Sequence, residues 1–505
     1  MSDPSAPPPR GLWRNPISLA GLAVAAVATG FGLPMMLIDV VHRHTSPYVA
    51  AIIYLVLPFV AAGGVALALL GMLLERRRRL RHPDRPVRPL PRIDLNQPAH
   101  QLALFGSVLG LLVVLVLLSV TGYQAYHFTE SVKFCGLVCH QVMKPQYTAH
   151  QRSPHARVAC VDCHVGSGAD WYVRAKLNGI DQVYSVLTGD YERPIPVPVK
   201  DLRPAQDTCE SCHWPAKSFG AVHKTVSRYL SDETNSPWKI QMLMRVGGGD
   251  PTRGPTEGIH WHMNIKNDIE YIAADEQRQV IPWVRVTDPE GRVTEYASTE
   301  QPLTPEQRAA ADVRRMDCID CHNRPSHVYR PPDQAVDAAL DSGAVDRRLP
   351  YVKREAVRLL AAEYATEPEA LEAIRAGLRR YYADAYPQLA AEQAAAIEQA
   401  AGAIQEIYRA NMFPEMRTDW RAYADHAGHL NSDGCFRCHD GLHRSAEGRI
   451  ITNDCNACHA ILAQGPEAGL EGAALQPQPF QHPVDLGMDV TQLKCSQCHR
   501  GTGDQ

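Results

Sequence analysis

Apolar positions fall into two regimes along the chain. Up to residue 126 they form three uncharged runs, roughly Ile17–Ile38, Tyr48–Leu74 and Gln101–Tyr126. Each run is long enough to cross about 30 Å of hydrocarbon as a helix rising about 1.5 Å per residue. The stretch "ERRRRLRHPDRPVRPLPR" between the second and third runs holds eight arginines from Arg76 to Arg92, whereas the first connection holds only Arg43. Cytoplasmic loops collect Lys and Arg, so this loop and the N-terminus are expected inside, and everything beyond about Tyr126 outside. The first run contains "AVA" but continues well past it, which favours an anchor over a cleaved signal peptide. Pro34 and Pro58 are expected to kink their helices, and the Pro-rich tail 1–15 to be disordered.

Past residue 126 the apolar positions become sparse and periodic. "IEYIAADEQRQVIPWVRVTDPEGRVTEYAS" alternates apolar and polar residues around Asp288-Pro289-Glu290-Gly291, a β-hairpin pattern. It lies in a β insertion of about 238–300, beside a flexible "GGGDPTRGP", and reads as an inserted scaffold piece. "TPEQRAAADVRRMD" predicts a short helix capped by Thr304. Residues 333–413, rich in Ala, Glu and Arg, have helical periodicity and predict two to four amphipathic helices, acting as a spacer or docking surface. The expected organisation is a tail (1–15), three transmembrane helices (16–126), a domain with the β insertion (127–332), a helical spacer (333–425) and a C-terminal segment (426–505). The fold class is therefore mostly α and irregular, with a three-helix transmembrane anchor and a small β-hairpin insertion.

A net charge of −4 gives no basic field for nucleic acid, and 7% aromatic residues are few for a chain filling several cores with side chains alone. The cysteines change the picture. All 14 fall in seven pairs: Cys135/Cys139, Cys160/Cys163, Cys209/Cys212, Cys318/Cys321, Cys435/Cys438, Cys455/Cys458 and Cys495/Cys498. A histidine follows each pair: His140, His164, His213, His322, His439, His459 and His499. A disulfide framework explains the even count but not the histidines, and zinc would require pairs of pairs at finger-like spacing. Two cysteines followed at once by His read as covalent attachment of haem c, with that His on the iron. Seven macrocycles would then supply the missing core. Attachment also implies the export side of the membrane, in agreement with the arginine argument. No nucleophilic triad, phosphate loop or nucleotide fingerprint is present.

Low-spin haems need a second strong ligand. Eleven histidines outside the motifs are available in the outer part: His127, His150, His155, His223, His260, His262, His327, His426, His429, His443 and His482. Position favours His155, His327, His429, His443, His482 and one of His260 and His262, with His223 in reserve. Sequence does not assign them to individual irons.

The outer part resembles the NapC/NirT/NrfH family of membrane-anchored multihaem quinol dehydrogenases, best over about residues 100–330. The likeness rests on an anchor helix running into the first motif, a Met just after it, "SPHARVAC", "CIDCHNRPSH" and "WYVRAKLNGIDQVYSVLTG". With three helices and seven motifs in place of the usual one and four, the chain looks like the seven-haem inner-membrane cytochromes of the ImcH type. The resemblance implies a bacterial inner-membrane protein with periplasmic haems that oxidises menaquinol or another quinol and feeds a periplasmic cytochrome or terminal reductase. It also implies that Asp181 takes the quinol proton, with Arg174 or Lys176 as the cation beside it. The residues alone also allow a surface pairing of these three. The first motif, "FCGLVCHQVMK", is irregular: three residues separate its cysteines where the family has two. Either His140 binds and the sixth position stays open, or Met143 binds and His140 is displaced. Both predict a high-spin or weakly ligated first haem; the alternative is a bis-His haem with a slightly strained loop. Two other functions stay open: a terminal reductase of a small oxyanion or nitrogen oxide, using Tyr381, Tyr382 and Arg444 at a vacant iron, and an electron-transfer subunit of a larger complex.

Overall fold

The computed structural model describes residues 11–42, 56–81, 94–138, 140–165, 169–198, 204–214, 220–248, 258–263, 267–467, 476–488, 490 and 493–502. Most of the predicted tail, the start of the second apolar run, Arg85–Arg92 of the basic loop, most of "GGGDPTRGP" and Cys139 lie outside them. The chain divides into two compact units, residues 1–129 with 165–181, and residues 130–164 with 182–505.

The first unit contains α1 (Pro16–His42), α2 (Leu57–Arg81) and α3 (Pro98–Thr129). Both α1 and α2 are long and apolar enough to cross a membrane, and α3 contributes a shorter apolar stretch, Pro98–Val114. In hydrocarbon, helices gain nothing by hiding apolar side chains from each other, so close backbone packing has to hold them together. α1 and α2 pack in that way. A Cβ on Gly21 would lie 2.5 Å from both the Gly64 carbonyl oxygen and the Ala68 nitrogen. The Ser18 hydroxyl donates to the Ala68 carbonyl at 2.9 Å, and Asn15 accepts from the Ser18 backbone at 2.9 Å. Asn15, inside the predicted tail, thus takes part in this packing. Pro58 does not interrupt its helix; it sits in the first turn of α2, where a missing N–H costs nothing. The buried Glu75 near the basic end of α2 is held by Arg79 at 3.0 Å and Arg78 at 3.7 Å.

The second unit begins with a π-helical turn (Phe134–Val138), α4 (His140–Gln151) and α5 (Cys160–His164). α6 (Ala169–Thr188) starts in the first unit and ends in this one. Short helices α7 (Ala205–Cys209), α8 (Pro305–Ala310) and α9 (Cys318–Cys321) follow. Thr304 and Gln307 cap α8 reciprocally.

Among the described residues there are two antiparallel sheets. One has the order β1 (Val222–Tyr229), β2 (Pro237–Met244), β8 (His459–Gly465). The other runs β6 (Arg314–Arg315), β3 (Asp268–Ile272), β4 (Trp283–Thr287), β5 (Val293–Ser298), β7 (His443–Arg444). β4 and β5 form the hairpin expected at Asp288, whose carboxylate accepts from the Glu290 and Arg292 backbone at 3.0 and 2.9 Å. The sheets are more than an insertion, because both recruit strands next to motif residues. β6 leads into Cys318, β7 follows His439, and β8 starts at His459 itself. The β3 residue Tyr271 donates to the buried Asp320 inside the fourth motif at 2.7 Å, and Arg278 and Arg314 reach the same carboxylate at 2.8 and 2.9 Å. Asp317 caps that motif's helix with Asp320 as its partner, an Asp-x-x-Asp signal visible in "MDCIDC".

Five helices fill the block read as a spacer: α10 (Pro332–Asp341), α11 (Val352–Ala361), α12 (Glu367–Ala385), α13 (Pro387–Glu392) and α14 (Ala394–Asn411). Their apolar faces meet in a core containing Leu349, Val352, Ile374, Leu378, Tyr382 and Ile404. The block does not stand apart from the motifs. Glu367 on α12 pairs with Lys144 on α4. Val142 and Ala149 of α4 bury against Tyr329, Phe413, Met416 and Tyr423. The last described segment is tied in too, since Asp333 donates from its backbone to the Gly501 carbonyl at 3.1 Å and Trp420 to Arg500 at 3.0 Å.

Candidate haem sites

Each regular motif forms one tight turn. The backbone N–H of His213, His322, His439 and His499 donates to the carbonyl of the first cysteine of its motif at 2.7–3.0 Å. Residues three and four apart share a face of such a turn, so both thiols and the imidazole project to one side. The described cysteines form no disulfide with one another. Neighbouring thiols belong to sites consecutive in the chain. Cys135 lies beside Cys160, and Cys209 beside Cys318. Cys163 lies by Cys212, Cys321 by Cys435, Cys435 by Cys458 and Cys455 by Cys495. The fifth and seventh sites also touch, Lys494 donating to Asp433 at 2.8 Å.

In five of the six regular pairs one thiol is exposed and the other half-buried, although sequence treats them alike; in the fourth both are half-buried. Cys163, Cys212, Cys435, Cys455 and Cys498 are exposed, and the other described cysteines are half-buried. At the seventh site it is Cys495 that lies by a thiol of another motif, Cys455, while Cys498 stands at the surface. The cause is one-sided anchoring of that turn. Lys494 and Ser496, which flank Cys495, both bond Asp433, at 2.8 and 2.6 Å, and this draws in the first thiol and leaves the second to solvent. The turn itself is kept, with the Cys498 N–H on the Cys495 carbonyl at 3.2 Å.

The first motif differs in backbone. A π turn over Phe134–Val138 takes up the additional residue, since i→i+5 closure uses one residue more per turn than an α turn. Gly136 permits it: a Cβ there would overlap the Tyr147 ring on α4. Sequence reasoning missed this pair; a glycine inside the irregular motif was the available signal. Gly136→Ala is expected to cost about 1–3 kcal/mol by overpacking and to lower haem occupancy at this site, read by melting temperature and intact mass. Met143 is half-buried on α4. The His140 side chain lies outside the described residues.

Six motif histidines each face a second imidazole. Ring centres are 6.3 Å apart for His164/His327, 5.9 Å for His213/His155 and 6.4 Å for His322/His260. They are 5.8 Å apart for His439/His262, 6.1 Å for His459/His429 and 6.0 Å for His499/His482. Two imidazoles bound to one metal at about 2 Å from each nitrogen have centres about 6 Å apart, so all six pairs fit an iron between them. The remaining ring nitrogen is engaged in several pairs. Nδ1 of His155, His260, His262, His327, His439 and His482 lies 2.6–3.2 Å from a backbone carbonyl. Such a bond fixes the tautomer and leaves Nε2 for a metal. Burial lowers the pKa of His164, His262, His322, His429, His459 and His499. Burial and then the Arg324 guanidinium take His327 down to about 3. These imidazoles are therefore neutral, as a ligand must be.

His443 is different. Its Nδ1 meets Asp440 at 2.9 Å and its Nε2 meets the Ile281 carbonyl at 2.7 Å, so neither nitrogen faces a motif histidine. Burial lowers its pKa, but the Asp440 carboxylate raises it, and the balance is upward. Sequence proximity to His439 was misleading; His262, from a distant segment, takes the facing position. His260 and His262 both face motif histidines, where only one was expected to. His150 and His426 have both nitrogens in hydrogen bonds to other residues. His223 is exposed on β1.

Asp181 is exposed on α6, seven residues from Arg174 and five from Lys176; the side chains of those two lie outside the described residues. The same helix exposes Leu177, Ile180, Tyr184 and Leu187 at helical spacing. The residues suggested for a reductase site are not brought together. Tyr382 is buried in the helical core with its hydroxyl on the Pro350 carbonyl at 3.0 Å, and Arg444 is exposed on β7.

This combination of thiol turns, facing imidazoles and apolar N-terminal helices defines a membrane-anchored c-type cytochrome of electron transport. The chain belongs to the NapC/NirT cytochrome c family, whose N-terminal region matches residues 97–196. It is similar to the cytochrome c-type protein ImcH of Geobacter sulfurreducens, with 43% identity over 493 residues, 98% of this chain and 96% of the relative. It is also similar to the cytochrome c-type protein NrfH of Wolinella succinogenes, with 33% identity over 115 residues, 22% of this chain and 62% of the relative. No solved structure matches.

Proposed function

We propose that the protein oxidises menaquinol or a related quinol at the membrane surface and delivers the electrons, through seven covalently held haems, to a periplasmic cytochrome or reductase. The six facing imidazole pairs, 5.8–6.4 Å apart, carry this reading. Each haem, when bound, supplies one-electron carriage at a potential set by its ligands and surroundings. The chain supplies the rest. Paired cysteines would fix each macrocycle, and His164/His327, His213/His155, His322/His260, His439/His262, His459/His429 and His499/His482 would hold its iron. Cys135 and Cys139 attach the first, with His140 or Met143 as its single strong ligand. Cys495 and Cys498 would attach the seventh, from which electrons would pass to the periplasmic partner.

Quinol oxidation releases two protons as well as two electrons, so a base must stand by the quinol hydroxyl. Asp181 takes that role, and Arg174 or Lys176 stabilises the quinol anion. The apolar residues around Asp181 suit a helix lying at a lipid surface. Three membrane helices, an internal N-terminus and periplasmic haem sites complete the arrangement. Asp181→Asn is expected to lower the rate of quinol-driven reduction by about 100-fold while dithionite reduces the same haems as before. An unchanged quinol rate would remove Asp181 from the mechanism. Reduction of nitrite or hydroxylamine from an artificial donor, without quinol activity, would favour a terminal reductase.

A further inference from the structure

We propose that one short turn holds two irons: in the 3-10 helix Ile259–Met263, His260 ligates the iron of the fourth site and His262 that of the fifth. The inference rests on reading the motifs as haem sites. A 3-10 helix has about three residues per turn, so side chains two apart point to different sides. His260 accordingly faces His322 at 6.4 Å with the rings inclined by 23°, and His262 faces His439 at 5.8 Å with the rings crossed at 83°. Separate carbonyls lock the two rings: Val246 lies 2.6 Å from Nδ1 of His260, and Ile259 lies 2.8 Å from Nδ1 of His262. Trp261 between them packs into the cluster that contains Met316, just before the fourth motif, and Cys438 of the fifth. The turn is held from below by Gly258, at φ +112°, where a Cβ would lie 2.5 Å from the Arg245 carbonyl oxygen. The turn is therefore the joint between the first four haem sites and the last three.

Ring angle makes the assignment readable. Nearly parallel imidazoles separate the iron d orbitals strongly and give rhombic low-spin EPR signals. Crossed imidazoles leave two of those orbitals close in energy and give strongly anisotropic ones. Only His262/His439 and His155/His213 are crossed; the other four pairs are inclined by 21–37°. EPR of the oxidised full-length protein in detergent should show both kinds. His262→Ala should abolish one strongly anisotropic signal, and His260→Ala one rhombic signal. Each loss should appear with a new high-spin signal that added imidazole reverses, while intact mass shows every haem still attached. Gly258→Val should disturb both signals together. If either alanine variant loses haem, His260→Lys and His262→Lys give the same readout as a shift of the one signal. The proposal is overturned if both histidine substitutions act on the same signal, or on none. A haem count below seven in the unsubstituted protein would instead overturn the reading of the sites themselves.

Discussion

Deletion of Leu137, which gives the first motif the spacing of the other six, is expected to lower quinol-driven reduction by about 100-fold and to leave the six regular sites intact. The π turn of Phe134–Val138 sets Cys135 relative to α4, and α4 cannot follow a shift. Lys144 in its second turn pairs with Glu367, its apolar face is buried with Phe413 and Met416, and the Gln146 carbonyl holds Nδ1 of His327 at 3.1 Å. Removing one residue therefore rotates Cys135 against a fixed helix, and the Gly136–Tyr147 fit is lost with it. Effective positioning is lost over displacements of about 1 Å. π turns inside helices commonly mark functional positions, and here the turn distinguishes the site proposed to meet quinol from the sites that only relay. Stopped-flow reduction by a quinol analogue, compared with dithionite titration of the same sample, separates the two effects. A deletion variant reduced by quinol at the original rate would show that the extra residue has no part in electron entry.

How much of this was legible beforehand depends on the range of the interaction. Attachment is local: two thiols and an imidazole on one turn are written within five residues, so the motifs could be read directly. How deeply each thiol sits is not local. Cys495 and Cys498 look alike in sequence, yet the bonds of Lys494 and Ser496 to Asp433, some sixty residues away, draw in one and leave the other exposed. Facing ligands are not local either. His429 lies just before the fifth motif yet meets His459 of the sixth, and His155 lies before the second yet meets His213 of the third. His443 stands four residues from His439 but is captured by Asp440 and Ile281, a polar arrangement that no spacing announces. The helical block shows the same division. Its periodicity gave helices, but not that α12 and α14 would brace α4, because the pairing of Lys144 with Glu367 is made by the fold alone. Pro58 was misread since a proline in a first turn and one in mid-helix look alike when the helix start is unknown.

That bracing rests in part on a buried ion pair, and its disruption should have the largest effect on stability. Lys353 of α11 donates to Asp337 of α10 at 2.6 Å and to the Tyr229 carbonyl of β1, and Asp337 also accepts from the Tyr229 backbone at 3.2 Å. Both side chains are almost wholly buried. Asp337→Ala leaves an ammonium in the interior with one carbonyl for company, so it should cost about 3–5 kcal/mol. Lys353→Met should behave differently. Burial raises the Asp337 pKa and Lys353 opposes that rise, so without the lysine the carboxyl takes up a proton more readily. A carboxyl whose folded pKa exceeds its unfolded value of about 3.9 favours folding below that value, and the benefit is lost as pH rises through the folded pKa. Lys353→Met should therefore be tolerated best in acid and grow worse with rising pH. Replacing both, Asp337→Leu with Lys353→Met, should cost less than Asp337→Ala alone, because no charge is then left unpaired. Urea unfolding of the three variants between acid and neutral pH tests the scheme. If Asp337→Ala unfolds like the parent, the pair does not hold the helical block to β1, and the support for α4 must come from the apolar contacts with Phe413 and Met416 alone.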